Sequence, residues 1–229
     1  DGRILSWSED KTLRLWSREG TPLATLEGHS YWVYGAATFP DGRILSWSGD
    51  KTLRLWSPKG TPLVTLEGHT TPVYGAAILA GGRILSWGGH TLRLWSSQGA
   101  PLAVLKGHIS DLQGAAELKD GRILSWGSDH MLRLWSSEGA PLGTLAGHTY
   151  GVDGAMELPD GRILSWSGDE TLRLWSSGGE SLTTLERHTS DVEGATVLAD
   201  GRVLSWCGGV GILKDHTLRL WSPDGTPLA

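Results

Sequence analysis

The stretch DGRILSWSGDKTLRLWS at residues 41–57 decides the architecture, because it returns along the whole chain. Copies begin at Asp1, Asp41, Gly81, Asp120, Asp160 and Asp200, a step of 40 residues with one step of 39. A unit this short cannot bury a core by itself, so neighbouring units must stack. Function then becomes a question of differences. Positions alike in every copy serve the fold, and positions that vary between near-identical copies are where specific chemistry is to be sought.

Working outward from that stretch, the unit 29–68 reads as four short strands. His29 to Tyr31 is a loop, Val33 to Phe39 a first strand, and Pro40-Asp41-Gly42 a turn whose residues favour the required backbone angles. Arg43 to Ser48 is the second strand, Ser48-Gly49-Asp50 the next turn, and Thr52 to Ser57 a third strand rich in β-formers. Pro58-Lys59-Gly60 then leads into a fourth strand, Pro62 to Leu66. No window carries a sustained helical period. The first strand holds the small trio Gly35, Ala36, Ala37, repeated at Gly75 to Ala77 and Gly114 to Ala116, with Gly-Ala kept at Gly154 and Gly194. Small residues suit inner strands that converge on an axis, while Trp and Leu of the outer strands fill the widening space between sheets. These features predict an all-β fold, a β-propeller of four-stranded antiparallel blades built from about six units over residues 1–229.

Composition narrows the function classes. A net charge of −5 provides no basic surface for displacing counterions from phosphates, so nucleic acid is not an expected partner. No apolar run is long enough to span a bilayer, and no membrane association is expected. Cys207 is the only cysteine, which excludes an internal disulfide and makes the cytoplasm the expected compartment. Residue 1 is Asp rather than Met, so a targeting segment could have preceded it.

The order Gly28-His29, a variable segment, Pro40-Asp41-Gly42, Ser46, Asp50 and Leu53-Arg54-Leu55-Trp56 resembles the WD-repeat family in its highly repetitive, bacterial-type form. The resemblance covers essentially the whole chain. The dipeptide that names the family is Trp-Ser here, as at Trp16-Ser17 and Trp56-Ser57, a position where the family is tolerant. The resemblance implies a propeller that presents loops to partner proteins, usually without catalysis or cofactor. It also implies a structural tetrad at His29, Ser46, Asp50 and Trp56, again at His108, Ser125, Asp129 and Trp135, and again at His148, Ser165, Asp169 and Trp175. In each, Asp orients the imidazole, the imidazole bonds the Ser hydroxyl, and the hydroxyl meets the indole N–H. A nucleophilic Ser-His-Asp triad would need one accessible site beside an oxyanion hole. Reiteration in successive units points instead to the fold, and no catalytic residue is assigned.

Two copies depart from the pattern. The third reads Trp87-Gly88-Gly89-His90-Thr91, one residue short and without an Asp for His69, so its tetrad is expected to be broken. The sixth has Arg187-His188 in place of Gly-His and carries a six-residue insertion after Trp206. That insertion brings Val210, Ile212 and Leu213 into a glycine-rich loop, either to contact a partner or to fold back over the adjacent blade.

The segment between His and Gly-Ala varies most. The first two copies place Tyr31, Trp32, Tyr34 and Tyr74 around an apolar position that is always kept. The last three place Asp111 with Gln113, Tyr150 with Asp153, and Asp191 with Glu193. Aromatics dominate binding hot spots, and carboxylates favour a basic or Arg-bearing protein. Drift on an unconstrained surface is the other reading.

Remaining candidates are weaker. His90, His130 and His216 occupy turns of different units, too far apart for shared metal ligation, and no metal is expected. The repeated Arg3, Arg43, Arg83, Arg122, Arg162 and Arg202 should pair with the Asp of the preceding turn rather than form an anion site. Trp7, Trp47, Trp87, Trp126, Trp166 and Trp206 could form sugar-stacking platforms, as in a lectin-like propeller for a glycan or small ligand, but packing between sheets suits their invariance better. The chain begins at a second strand and ends inside a fourth, so a longer protein is expected, with self-association through open sheet edges as the alternative. The expected function is a non-catalytic protein-interaction scaffold or sensor module of a signalling protein.

Overall fold

A computed structural model describes residues 2–208 and 217–228, arranged as two compact units, Asp1–Gly107 and His108–Ala229. In the first unit β1 (Ile4–Trp7), β2 (Leu13–Trp16) and β3 (Pro22–Leu26) form a three-stranded antiparallel sheet. It is followed by a four-stranded sheet of β4 (Val33–Thr38), β5 (Ile44–Ser48), β6 (Leu53–Trp56) and β7 (Pro62–Leu66). A second four-stranded sheet holds β8 (Gly75–Ile78), β9 (Ile84–Gly88), β10 (Thr91–Trp95) and β11 (Pro101–Lys106), with one 3-10 turn at Ala80–Gly82.

The second unit repeats the plan. Its first sheet is β12 (Leu112–Glu117), β13 (Ile123–Gly127), β14 (Met131–Trp135) and β15 (Pro141–Ala146). Its second is β16 (Val152–Glu157), β17 (Ile163–Ser167), β18 (Thr171–Trp175) and β19 (Ser181–Glu186). The described residues of the last sheet are β20 (Val192–Val197), β21 (Val203–Cys207) and β22 (Leu218–Trp221). Every sheet is a meander in sequence order, as tight turns between short strands require.

Strand limits differ from the sequence reading by a residue where turns claim the ends. Phe39 and Arg43 close the first turn of their unit: the Phe39 amide donates to the Arg43 carbonyl at 2.9 Å, and the Gly42 amide donates to the Phe39 carbonyl at 2.9 Å. Gly42 sits at φ 87°, where a side chain would be strained.

Within each unit the core lies between successive sheets. Leu13, Leu15 and Leu26 of the first sheet meet Val33, Ile44 and Trp56 of the second. Leu45, Leu53, Leu55 and Leu66 of the second meet Val73, Ile84 and Trp95 of the third. Equivalent layers in the second unit join Leu124, Leu132 and Leu145 to Val152, Ile163 and Trp175, and Leu164, Leu172 and Leu185 to Val192, Val203 and Trp221. Burial of these apolar side chains, about 1.5–3 kcal/mol for each one fully buried, is what joins sheet to sheet.

The glycine of each first strand has a local cause. Gly35, Gly75, Gly114, Gly154 and Gly194 each lie opposite the second-strand Trp in the ladder, Gly35 opposite Trp47 and Gly154 opposite Trp166. A Cβ on any of the five would stand 2.1–2.4 Å from the indole Cζ2. The indole lying across the neighbouring strand therefore requires glycine, a reason distinct from crowding at an axis. The same packing holds these Trp rings half-buried against the sheets, whereas Trp7, in a sheet without that strand, is 44% exposed.

The repeated arginines do two jobs. Arg43, Arg122, Arg162 and Arg202 pair with Asp41, Asp120, Asp160 and Asp200 at 2.6–2.8 Å. Several also reach the next sheet: Arg43 donates to the Ser97 carbonyl at 2.6 Å, Arg162 to that of Pro223 at 2.7 Å, and Arg3 to that of Pro58. A planar guanidinium with five donors can serve both partners at once.

Candidate functional site

The polar residues that recur are buried networks. In the second sheet Trp56 Nε1 donates to Ser46 Oγ at 2.9 Å, Ser46 Oγ lies 2.8 Å from His29 Nε2, and His29 Nδ1 lies 2.8 Å from the Asp50 carboxylate. Because a carboxylate only accepts, Nδ1 carries the proton donated to Asp50, and with one proton on the ring Nε2 accepts from the Ser hydroxyl. The same chain links Trp135, Ser125, His108 and Asp129, and Trp175, Ser165, His148 and Asp169. Asp50 and Asp169 also accept from the amides of Ser30 and Thr149 and from the hydroxyls of Thr52 and Thr171. Burial pushes the Asp50 and Asp169 carboxyls up, but bonds from the imidazole, the Thr hydroxyl and the amide outweigh it, and both end well below the usual carboxylate range.

These serines are closed off from solvent. Ser46, Ser86, Ser125, Ser165 and Ser205 are all 0% exposed, and each Oγ is held between an indole N–H and an imidazole. The first sheet retains the pair Trp16 Nε1 and Ser6 Oγ at 2.9 Å, and its Asp10 turns to Thr12 and Arg14. In the last sheet Ser205 bonds His188 Nε2 and Trp221 Nε1, both at 2.8 Å.

The third sheet is different. Trp95 donates to Ser86 at 2.9 Å and Ser86 meets His69 Nε2 at 2.8 Å, but no hydrogen-bond partner in the protein lies within reach of the buried His69 Nδ1. Thr91, which matches Thr52, turns its hydroxyl to the Gly88 carbonyl at 3.4 Å. Burial, with the nearby Arg93 charge, pushes His69 down to about 4.

The variable loops of the first unit come together around Gly49. Tyr31 and Trp32 have ring centroids 5.3 Å apart, and Tyr34 stacks on Tyr74 at 5.8 Å and 18°. A Cβ on Gly49 would meet Tyr31 Cδ1 at 2.3 Å and the Tyr34 hydroxyl at 2.9 Å, so a residue without a side chain lets both rings close over the turn. Tyr31, Trp32 and Tyr74 are 46%, 40% and 51% exposed. The Tyr34 phenol is raised by desolvation, with Tyr31, Tyr74 and Glu9 adding to the effect. Glu9, absent from the sequence-based candidates, thus acts on this patch through its charge.

In the second unit the loops carry acids and exposed apolar groups. Ile109 is 86% exposed and Tyr150 64%, with His130 stacked on Tyr150 at 6.0 Å. His130 and Tyr150 stand on turns of different sheets, and their offset in the sequence carries no local signal of this contact. Asp111 and Glu193 are exposed, and the Asp153 carboxyl is pushed up by desolvation and by the Asp191 charge beside it. Gln113 instead donates to Ser128 Oγ at 3.0 Å, which ties it to the adjacent turn. Val210, Ile212, Leu213 and His216 lie outside the described residues. Among the described residues no three His, Cys, Asp or Glu side chains converge as metal ligands, and no helix is long and apolar enough to cross a membrane.

The sequence profile of the WD domain, G-beta repeat family matches residues 20–57, 60–96, 139–176 and 179–222, more than half of the chain. The chain belongs to this family. Its fold is therefore a β-propeller of antiparallel blades, and WD domains as a class are interaction modules rather than enzymes. The chain resembles the crystal structure of the computationally designed Ika8 protein over 100% of its length and 71% of that chain, at 25% identity and a TM-score of 0.84. It also resembles the WD40 β-propeller domain of Doa1, over 89% of this chain and 71% of that one, at 25% identity and a TM-score of 0.66. A 37-residue stretch is 51% identical to the nuclear distribution protein PAC1 of Yarrowia lipolytica, covering 16% of this chain and only 8% of that protein.

Proposed function

We propose that this WD-repeat chain is a cytoplasmic, non-catalytic scaffold or sensor module of a signalling protein, and that Tyr31, Trp32, Tyr34 and Tyr74 are its principal protein-binding patch. The observation that carries this reading is the grouping of four aromatic rings around Gly49, three of them 40% exposed or more. Rings already packed on one another lose little side-chain freedom when a partner covers them. Asp111, Asp153, Tyr150, Asp191 and Glu193 form a second, acidic set of contacts in the other unit, which favours a basic or Arg-bearing partner.

The test begins with capture of partners from the native host, run beside a glycan array. Trp32→Ala should weaken the captured complex by about 2 kcal/mol, with the thermal midpoint nearly unchanged. An unaltered dissociation constant would reduce the patch to surface drift, and binding to glycans alone would replace this reading with a lectin-like one.

A further inference from the structure

The third sheet ends its polar chain in a buried imidazole nitrogen without a protein partner. Trp95 donates to Ser86, Ser86 Oγ lies 2.8 Å from His69 Nε2, and His69 Nδ1 has no protein partner on a residue that is only 7% exposed. In three other sheets the equivalent Nδ1–H meets a carboxylate, which also accepts from the amide of the following residue: Ser30, Ile109 or Thr149. Here the turn is one residue short, and Thr70, the matching residue after His69, has no carboxylate before its amide.

Nothing on the turn can supply one. A Cβ on Gly88 would strike the Pro72 carbonyl oxygen at 2.2 Å, and one on Gly89 would stand 3.0 Å from Thr71 Oγ1. The charge balance also differs from the complete sheets. Arg93 lies by Gly68 and acts on His69, as Arg54 lies by Gly28 in the second sheet, but the negative charge that Asp50 provides there has no counterpart here. With the tautomer of the sister blades, which puts the proton on Nδ1, the ring and the Thr70 amide offer two N–H donors beside a guanidinium, an environment suited to an anion with two oxygens. The Asp side chains that fill this position elsewhere are only 1–5% exposed, so the site lies just beneath the surface and suits a small ligand.

We propose that the third blade binds a small free carboxylate, of the size of formate, between His69 Nδ1 and the Thr70 amide, in the place an aspartate carboxylate holds in its sister blades. The ligand accepts both hydrogen bonds and completes the network without a covalent step.

The probe is sodium formate added to the full chain, with sodium chloride at equal ionic strength as reference. A ligand that binds only the folded state raises the thermal midpoint as its concentration exceeds its dissociation constant. Formate should lift the midpoint by about 2 °C or more above chloride, the shift expected for roughly 1 kcal/mol in a chain of this size. Inserting Asp between Gly89 and His90 recreates the Gly-Asp-X-Thr turn of the second unit and should abolish the formate-specific rise. If that insertion fails to fold, nitrogen-15 histidine spectra of the unaltered chain decide. Formate should shift and protect the His69 Nδ1–H resonance while chloride leaves it unchanged. Equal midpoints in the two salts, a rise that survives the insertion, or an unmoved His69 resonance would each overturn the proposal.

Discussion

Gly154 lies directly against the ring of Trp166, its ladder partner, so closely that a methyl group there would stand 2.1 Å from Cζ2. The indole has little room to retreat, because it packs half-buried against the apolar layer that holds Leu164, Leu172 and Val192. Gly154→Ala should therefore destabilise the chain by about 1–3 kcal/mol, the usual cost of overpacking. Chemical denaturation with Trp fluorescence as the signal measures it. A variant as stable as the parent would mean the indole can move aside, and the requirement for glycine would fall.

His148 is the middle of a fully satisfied network, and its removal would leave Ser165 and Asp169 each short of a partner. His148→Ala should cost on the order of 1–3 kcal/mol in stability. Partner binding should fall only in proportion to the fraction unfolded. Retention of the thermal midpoint with loss of binding would place His148 in the binding surface instead.

Acid should weaken the chain through His69 before it reaches the carboxylates. Folded His69 takes its proton at about 4, against an ordinary 6.5, so between those values the unfolded chain binds a proton that the folded chain refuses. Stability is full above pH 6.5 and falls as pH drops through that window, by at most about 1.4 kcal/mol per pH unit. The lowered His108 acts in the same direction. Asp50 and Asp169, whose carboxyls are held down, contribute stability present above their unfolded value of 3.8, and that contribution is lost only as pH falls below it. Thermal midpoints recorded from pH 7.5 to pH 4.5 should decline with falling pH. A flat profile would show that His69 is not held neutral by burial.

Much of this protein was legible in its repeat. The step of 40 residues, the turns at Pro40-Asp41-Gly42 and Ser48-Gly49-Asp50, and the alternation of Leu, Ser and Trp determine by themselves that a full repeat is a four-stranded meander. Local turn chemistry and strand periodicity act over a few residues, so one unit is enough to read them. The short turn after Trp87 also marked the third network as incomplete from sequence alone, because a missing carboxylate needs no coordinates to be noticed.

Other relationships required the tertiary structure. Sequence placed Gly35 and Trp47 in neighbouring strands, but only the ladder and the ring's direction show that the indole lies across the glycine. Tyr34 and Tyr74 are 40 residues apart, and their stacking depends on two sheets meeting at one edge. The contact of His130 with Tyr150 and the reach of Arg43 to the Ser97 carbonyl likewise join residues of different sheets. A repeat specifies what each sheet presents, whereas the angle and spacing at which sheets pack decide which side chains meet, and that geometry arises from the apolar layers between them.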